Sequence, residues 1–517
     1  MIRDEIKKIL NMPEARISRP EIIEFGDYST NVVLQLAKIK KKDPLALAEE
    51  IKREIESKAK SKELFDKIEI APPGFINFWL AKEFLQKQIK EIIDQAENYG
   101  NLSIGQNKKA QVEFISANPT GPLTIGNSRG GVIGDVLANI LEKAGWRVTR
   151  EYYFNDAGGQ IDALGHSVLK DDQAQYQGEY INKLHNELGT GDYKEIGKKA
   201  AKILIEQIKE TTKKMGINFD VWFTEGEDLR EKDKVKEIIE WLKEKDLTYE
   251  REGALWFKST LFGDDKDRVL IRSNNEPTYF AVDCAYHKNK FVDRKFDRVI
   301  NVWGADHHGD VPRLKGFIKA LGYEDRFDII LHQFVRLLKN GKEVRMSKRA
   351  GNYVAVDDLL EEVGRDVYRF FMLQHSANTH MDFNLDLAKE RSEKNPVFYV
   401  QYAYARISSI LRKAQNKLQS STYNFRLITS PFELTLVKQL IRLPEIIEDT
   451  ATDYQVHRLP QFALELVRAF HKFYENCRVI DEKNPSLTQA RLGLVKATKI
   501  VLKNTLDLMG ISAPEKM

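Results

Sequence analysis

Cysteine is nearly absent from this 517-residue chain, which has only Cys284 and Cys477. That excludes a disulfide framework and a cysteine-rich zinc site. Charge of one sign is also lacking. Lys and Arg number 81 against 77 Asp and Glu, a net charge of +4, so composition by itself does not point to nucleic acid. No apolar run approaches the length of a membrane span. Residues 1–10 form a charged amphipathic helix pattern with Asp4 and Glu5 and lack the apolar core of a signal peptide. The expectation is a cytoplasmic protein with no membrane partner. Internal repeats and low-complexity segments are missing too. What is present is enough apolar residue, 42%, for real cores, in a length that suits two to four domains.

Three textures succeed one another. Residues 1–110 suggest a small α+β domain, with helix patterns over 1–10, 31–39, 44–58 and 82–97. Alternating strands at 68–70 and 75–80 flank the turn Pro72-Pro73-Gly74. Residues 111–375 give strand, glycine turn, helix and strand. An apolar stripe runs through Val132, Ile133, Val136, Leu137, Ile140 and Leu141. Parallel strands joined by helices imply a doubly wound α/β sheet with its ligand at the carboxyl ends of the strands. A lysine-rich stretch, 161–250, reads as a helical insertion, after which strands resume at 299–303 and 329–331. Residues 376–517 carry long helical patterns over 387–418, 431–450, 456–478 and 487–509, an all-helical and slightly basic domain.

The chemistry begins at Val112-Glu113-Phe114-Ile115-Ser116-Ala117-Asn118-Pro119-Thr120-Gly121-Pro122-Leu123-Thr124-Ile125-Gly126-Asn127. A strand stops at a Pro/Gly turn and feeds a helix. Gly126 admits close approach of a ligand, and the helix offers free N–H groups and a positive dipole end to a phosphate. By itself such a turn is weak evidence. It is joined by Arg345-Met346-Ser347-Lys348-Arg349, in a loop flanked by Gly341 and Gly351. The pair resembles the HIGH and KMSKS signatures of class I aminoacyl-tRNA synthetases, and the surrounding sequence is similar to the arginyl-tRNA synthetases.

That resemblance covers nearly the whole chain. It implies a Rossmann-like catalytic domain, an N-terminal domain that touches tRNA, and a helical domain that binds the anticodon. The implied reaction is ATP-dependent attachment of L-arginine to tRNA(Arg) through an arginyl-adenylate. ATP with Mg2+ is the expected cofactor, and a monomer the expected state. Thr124, Asn127 and Lys348 take the catalytic positions. Gly126, Gly304, Asp306, His307, Met346 and Ser347 match the ATP pocket. Glu113, Asn118, Glu225, Tyr279 and Asp283 match the arginine site, where two carboxylates and an aromatic face suit a planar guanidinium. Asp156 or Gln160 is a further candidate for substrate contact. The aromatic residues Phe398, Tyr399, Tyr402 and Tyr404 suit either core packing or base stacking.

The chain departs from the family where Thr124 and Asn127 replace the two histidines of HIGH. Both keep hydrogen-bond donors but carry no titratable charge. Family members with a degraded KMSKS loop carry a lysine just before HIGH; this chain has Gly121 there and keeps Lys348. The substitution leaves open an alternative, a catalytically weakened tRNA-binding or regulatory paralogue. A small-molecule adenylate-forming ligase is a third reading, disfavoured by the helical C-terminal domain. The adjacent pair His307-His308 lacks the i, i+4 spacing of a zinc site, so no metal site is expected.

Overall fold

The computed structural model describes every residue except Ala157, 345–353 and 415–422. Its centre is a five-stranded parallel sheet built from β1 (Lys109–Phe114), β2 (Arg147–Phe154), β3 (Val221–Thr224), β4 (Arg298–Gly304) and β5 (Phe327–His332). The spatial order is β5-β4-β1-β2-β3. The direction in which successive strands are added therefore reverses between β1 and β4, which stay parallel, and a crevice opens at their carboxyl ends. Val112 and Phe114 on β1 and Val299, Ile300 and Val302 on β4 are buried, as a strand covered on both faces requires.

Helix α1 (Ile125–Lys143) follows β1 and returns the chain to β2. It lies close to the sheet because Gly134 has no side chain: a Cβ there would stand 2.3 Å from the Phe114 ring. Its core face is the apolar stripe read from the sequence, with Val132, Val136, Leu137 and Ile140 all buried.

Before the sheet, residues 1–98 form helices around a four-stranded antiparallel sheet that includes Phe65–Ala71 and Phe75–Leu80. The stretch expected to be a helical insertion contains more than helices. After Gly159–Leu169 (α2), Glu179–Leu188 and Tyr193–Lys214, residues 221–224 form β3, the edge strand of the main sheet, paired with β2. Four residues are too few to show a strand period, and sheet pairing rather than pattern makes them a strand. Beyond them, Thr248–Arg251, Ala254–Phe257 and Arg268–Ile271 make a separate antiparallel sheet.

The carboxyl-terminal region is helical. Two of the expected long helices are each divided. Residues 387–418 split into Leu385–Lys389 and Pro396–Lys413, because Asn395 caps the second helix through its side chain and Pro396 occupies its first turn. Residues 431–450 split into Pro431–Leu440 and Leu443–Asp453. Arg458–Asn476 and Pro485–Met509 complete the bundle.

This bundle shares one core with the sheet domain. Arg369, fully buried, bonds Asp135 of α1 at 2.5 Å and also the backbone oxygens of Met215 and Met509, at 3.0 and 2.7 Å. Asn139 of α1 donates to the Leu508 oxygen at 3.0 Å. The last helix thus ends on the helix that begins at Thr124.

Candidate active site

The site starts where β1 stops. Ile115 and Ser116 both have positive φ, 67° and 43°, a conformation that a β-branched residue rarely takes. Neighbouring bonds hold it there. The Ser116 hydroxyl donates to Glu113 Oε1 at 3.0 Å and accepts from the Tyr153 N–H at 3.2 Å, and the Tyr152 hydroxyl donates to the Ala117 oxygen at 2.7 Å. Asn118 accepts from the Asn155 N–H at 3.3 Å and donates to Gln160 Oε1 at 2.7 Å.

Thr124 then caps α1 by backbone conformation alone. Its hydroxyl donates to Asn127 Oδ1 at 2.8 Å instead of turning onto the helix N–H groups. The first turn of α1 is left without a side-chain cap, as an anion site requires. A Cβ on Gly126 would meet only Thr124 Oγ1, at 3.8 Å, so the space above it is open.

A cavity of about 750 Å³ opens over this turn at the strand ends. It brings together Glu113, Asn118, Thr124, Gly126, Asn127, Glu225, Tyr279, Asp283, Gly304, Asp306 and His307, the described residues matched in the sequence to the catalytic, ATP and arginine positions. Gln160 also lines it, whereas Asp156 accepts from the Gly226 N–H at 2.8 Å and braces the turn after β3. Met346, Ser347 and Lys348 lie outside the described residues. The flanks of their loop are placed, however. Ala355 bridges to Thr124, and the Val356 N–H donates to the Leu123 oxygen at 3.0 Å, against the start of α1.

At one end of the cavity the carboxylates are already paired. Glu113 Oε2 accepts from Lys290 Nζ at 2.5 Å, and Lys290, fully buried, also bonds Asn301 Oδ1 at 3.1 Å and lies 4.1 Å from the Tyr286 ring centre. Glu151 accepts from the Tyr286 hydroxyl at 2.5 Å and from Arg294. Glu225 accepts from the Tyr153 hydroxyl at 2.7 Å and from Arg230 Nε and Nη2 at 2.8 and 2.6 Å. His287 is wedged between the Asp283 oxygen (2.8 Å) and Asn301 Nδ2 (3.0 Å). Burial and the nearby Lys290 charge hold its imidazole well below the usual histidine range, so it is neutral.

Asp283 is different. It sits one turn after Tyr279 on helix α3 (Tyr279–Lys288), and both residues line the cavity. Among the described residues no cation hydrogen-bonds its carboxylate. Arg313 Nη2 approaches only to 4.0 Å and is engaged by Asp310 at 3.0 Å. Its side chain is 37% exposed to the open cavity, and desolvation by the surrounding walls pushes the carboxyl up to about 7, with Arg313 opposing the rise and Glu113, Asp310 and Glu225 adding to it.

The other end of the cavity belongs to the end of β4. At Gly304 a Cβ would stand 2.4 Å from Asp306 Oδ1, so a side chain there would push the exposed Asp306 carboxylate aside. His307 Nδ1 lies 3.2 Å from Asp310 Oδ2 and its Nε2 3.7 Å from Asp306 Oδ2. His332, from β5, is held down to about 4 by burial and by the buried Arg129 guanidinium. Among the described residues no group of three or more His, Cys, Asp or Glu is arranged to hold a metal ion.

Three known sequence families match the chain: "Arginyl tRNA synthetase N terminal domain" over residues 1–80, "tRNA synthetases class I (R), catalytic domain" over 88–186 and 179–382, and "DALR anticodon binding domain" over 400–517. The arginine--tRNA ligase of Acetivibrio thermocellus is 44% identical over 98% of this chain and 94% of its own length. The chain belongs to the arginyl-tRNA synthetase family. The arginine--tRNA ligase of Caldanaerobacter subterraneus is 43% identical over 100% of this chain and 98% of its own length. The solved arginyl-tRNA synthetase of Thermus thermophilus has the same fold, with a TM-score of 0.83 at 23% identity over the whole of both chains.

Within this arginyl-tRNA synthetase fold, several residues of the site had gone unnoticed in the sequence. Lys290, Arg294, Arg230 and His332 belong to no motif read there. Lys290 is 177 residues from its partner Glu113. The two meet because Asn289–Asp293 forms one π-helical turn after α3, which the sequence does not signal. Arg313 of helix α4 (Val311–Leu321) follows the Trp303-Gly304-Ala305-Asp306 segment, and the position of Asp310 three residues earlier was the available clue.

Proposed function

We propose that this chain attaches L-arginine to tRNA(Arg). The observation that carries the reading is Asp283, a carboxylate that no cation among the described residues hydrogen-bonds, in the cavity that also receives the uncapped first turn of α1. The arginine side chain is placed against Asp283, with Tyr279 at the cavity mouth and Glu225 and Glu113 beside it. Arginine's planar fork suits this arrangement better than a lysine ammonium does. ATP is placed with its phosphates at Thr124, Gly126 and Asn127 and its nucleoside end near Gly304, Asp306 and His307.

In the first step the arginine α-carboxylate oxygen attacks the α-phosphorus, the bond to the β-phosphate oxygen breaks, and pyrophosphate leaves. In the second, a ribose hydroxyl at the tRNA 3′ end attacks the arginyl carbonyl and AMP leaves. The protein supplies positioning and charge: donors from Thr124, Asn127 and the α1 N–H groups, and the Lys348 cation for the departing phosphates. Mg2+ enters with the nucleotide phosphates.

Residues 1–110 are assigned to tRNA contact, 111–375 to catalysis and 376–517 to the anticodon. A monomeric enzyme is the expected state. A cytoplasmic location is consistent with a reaction on tRNA. Both variant positions of HIGH keep hydrogen-bonding side chains facing the cavity, which favours an active enzyme over a weakened paralogue. The test is ATP–pyrophosphate exchange with tRNA(Arg) present. Exchange that requires arginine supports the reading; its absence with every amino acid overturns it.

A further inference from the structure

The charge of the amino-acid end is controlled from outside the cavity. Glu225 follows β3 and its side chain is 2% exposed. The next five residues, Gly226–Arg230, form a single π-helical turn, closed by the Glu231 N–H on the Gly226 oxygen at 2.9 Å. This turn carries Arg230 back onto Glu225, where Nε and Nη2 both bond Oε1. The other oxygen, Oε2, accepts the Tyr153 hydroxyl at 2.7 Å. Arg230 itself is 38% exposed and does not line the cavity, whereas Glu225 does. One oxygen of the carboxylate is therefore satisfied by a cation reaching in from the surface and the other by a buried hydroxyl, in a residue that lines the cavity wall.

We infer that Arg230 is a positioning residue that neutralises and orients Glu225, so that, among the described residues, Asp283 is the carboxylate of the amino-acid site left without a hydrogen-bonded cation for the incoming guanidinium. This rests on the reading of the cavity as an arginine site. Each other carboxylate near that end has its own cation: Glu113 has Lys290, Glu151 has Arg294, and Asp310 has Arg313. Without Arg230, the buried Glu225 becomes a second carboxylate without a hydrogen-bonded cation beside the partly exposed Asp283, and like charges side by side disfavour ionisation of both. The π-turn has a use on this account. An ordinary α-helical turn places residues 225 and 229 one above the other, and residue 229 is a fully buried leucine.

The groups that face Asp283 decide what a change at Arg230 does. They are Arg313 and Asp310 at the start of α4, Glu113 at the end of β1, Tyr153 on β2, Glu225 after β3 and the Cys284 thiol on its own helix. Tyr153 is held protonated by burial and by Glu225, and so remains a donor. Of this set, Glu225 has the most exposed cation partner, Arg230 at 38% against 25% for Arg313 and 0% for Lys290.

The experiment measures L-arginine binding by the full-length protein from pH 5.5 to 8.5, by calorimetry, in wild type, Arg230→Met, Arg230→Lys, Glu225→Gln and the double variant Glu225→Gln/Arg230→Met. In wild type, binding should strengthen as pH rises through about 7, where Asp283 ionises. Arg230→Met should move that midpoint upward by roughly 0.5–1 pH unit, the scale of one added charge nearby. Glu225→Gln should move it downward, Arg230→Lys should restore it in part, and the double variant should return it close to the wild-type position. A purely structural clamp gives no such opposed shifts and no recovery in the double variant. An unchanged midpoint in Arg230→Met overturns the inference. If Arg230→Met does not fold, a Glu225→Gln midpoint that does not move overturns it equally. Failure of the wild-type protein to bind arginine at any pH would instead refute the assignment of the site.

Discussion

Replacing Asp283 by asparagine keeps its shape and removes its charge. In the structure this carboxylate has no hydrogen-bonded cation among the described residues, so the substrate guanidinium is its natural partner. Truncating one side of a buried charged pair costs about 2–5 kcal/mol, much of it from stranding the other charge. Here the other charge is the substrate, which stays in water when it fails to bind, so the lower part of that range applies. A loss of about 2–3 kcal/mol raises the arginine KM on the order of 30- to 150-fold.

The pH dependence sharpens the test. Asp283 is pushed up to about 7, so in the free protein it is protonated below that pH, and the arginine complex requires it ionised. The wild-type KM should therefore fall as pH rises toward 7 and level off above it, whereas Asp283→Asn should lack this slope. The sign for stability is opposite. A carboxyl raised above its unfolded value binds more protons folded than unfolded between about pH 4 and 7, so it costs the free protein stability as pH rises. Asp283→Asn should consequently unfold at a higher temperature than wild type at pH 8 without arginine. Kinetics of tRNA-dependent pyrophosphate exchange at a series of pH values reads the first effect and thermal melts read the second. A wild-type KM flat from pH 5.5 to 8.5, or a mutant that keeps the wild-type slope, refutes the reasoning.

Three further outcomes are expected. Lys348→Ala should lower kcat by about 10²–10³, the scale of one lost electrostatic stabiliser of a transition state, with little change in arginine affinity; near-normal charging assigns that work elsewhere. Arg369→Met leaves Asp135 with only the longer Arg150 contact at 3.6 Å and strands two buried carbonyls where the last helix meets α1, so it should destabilise by about 3 kcal/mol in denaturant melts; a change below about 0.5 kcal/mol contradicts that junction. Tyr402, 45% exposed, stacks on Phe398 beside a 500 Å³ aromatic groove of the helical region. Tyr402→Ala should raise the tRNA KM by about 5- to 150-fold if it stacks a base, at 1–3 kcal/mol per base, and should leave the arginine KM unchanged; an unchanged tRNA KM returns Tyr402 to a packing role.

Much of this site was legible because its chemistry sits in short contiguous runs. Glu113, Asn118, Thr124, Gly126 and Asn127 fall within one strand–turn–helix passage, and Tyr279 and Asp283 within one helical turn. What escaped depends on tertiary closure. Lys290 and Arg230 each reach a carboxylate through a π-helical turn, a geometry without a residue signature. Strand β3 has four residues and owes its conformation to pairing with β2. The break at Asn395-Pro396 was readable, since a capping side chain and a first-turn proline both signal a helix start. The long apolar period on either side hid it. The apolar stripe of α1 needed no tertiary information, because its 3.6-residue period is set by the side chains themselves.

The central claim is that the cavity selects arginine for attachment to tRNA. The most direct measurement is charging of tRNA(Arg) by the purified full-length protein with each of the twenty amino acids and ATP. The account predicts aminoacylation with arginine and a rate with lysine lower by orders of magnitude, since the ammonium cannot form the planar paired bonds of a guanidinium. Charging with another amino acid in preference to arginine, or no charging with any, would contradict it.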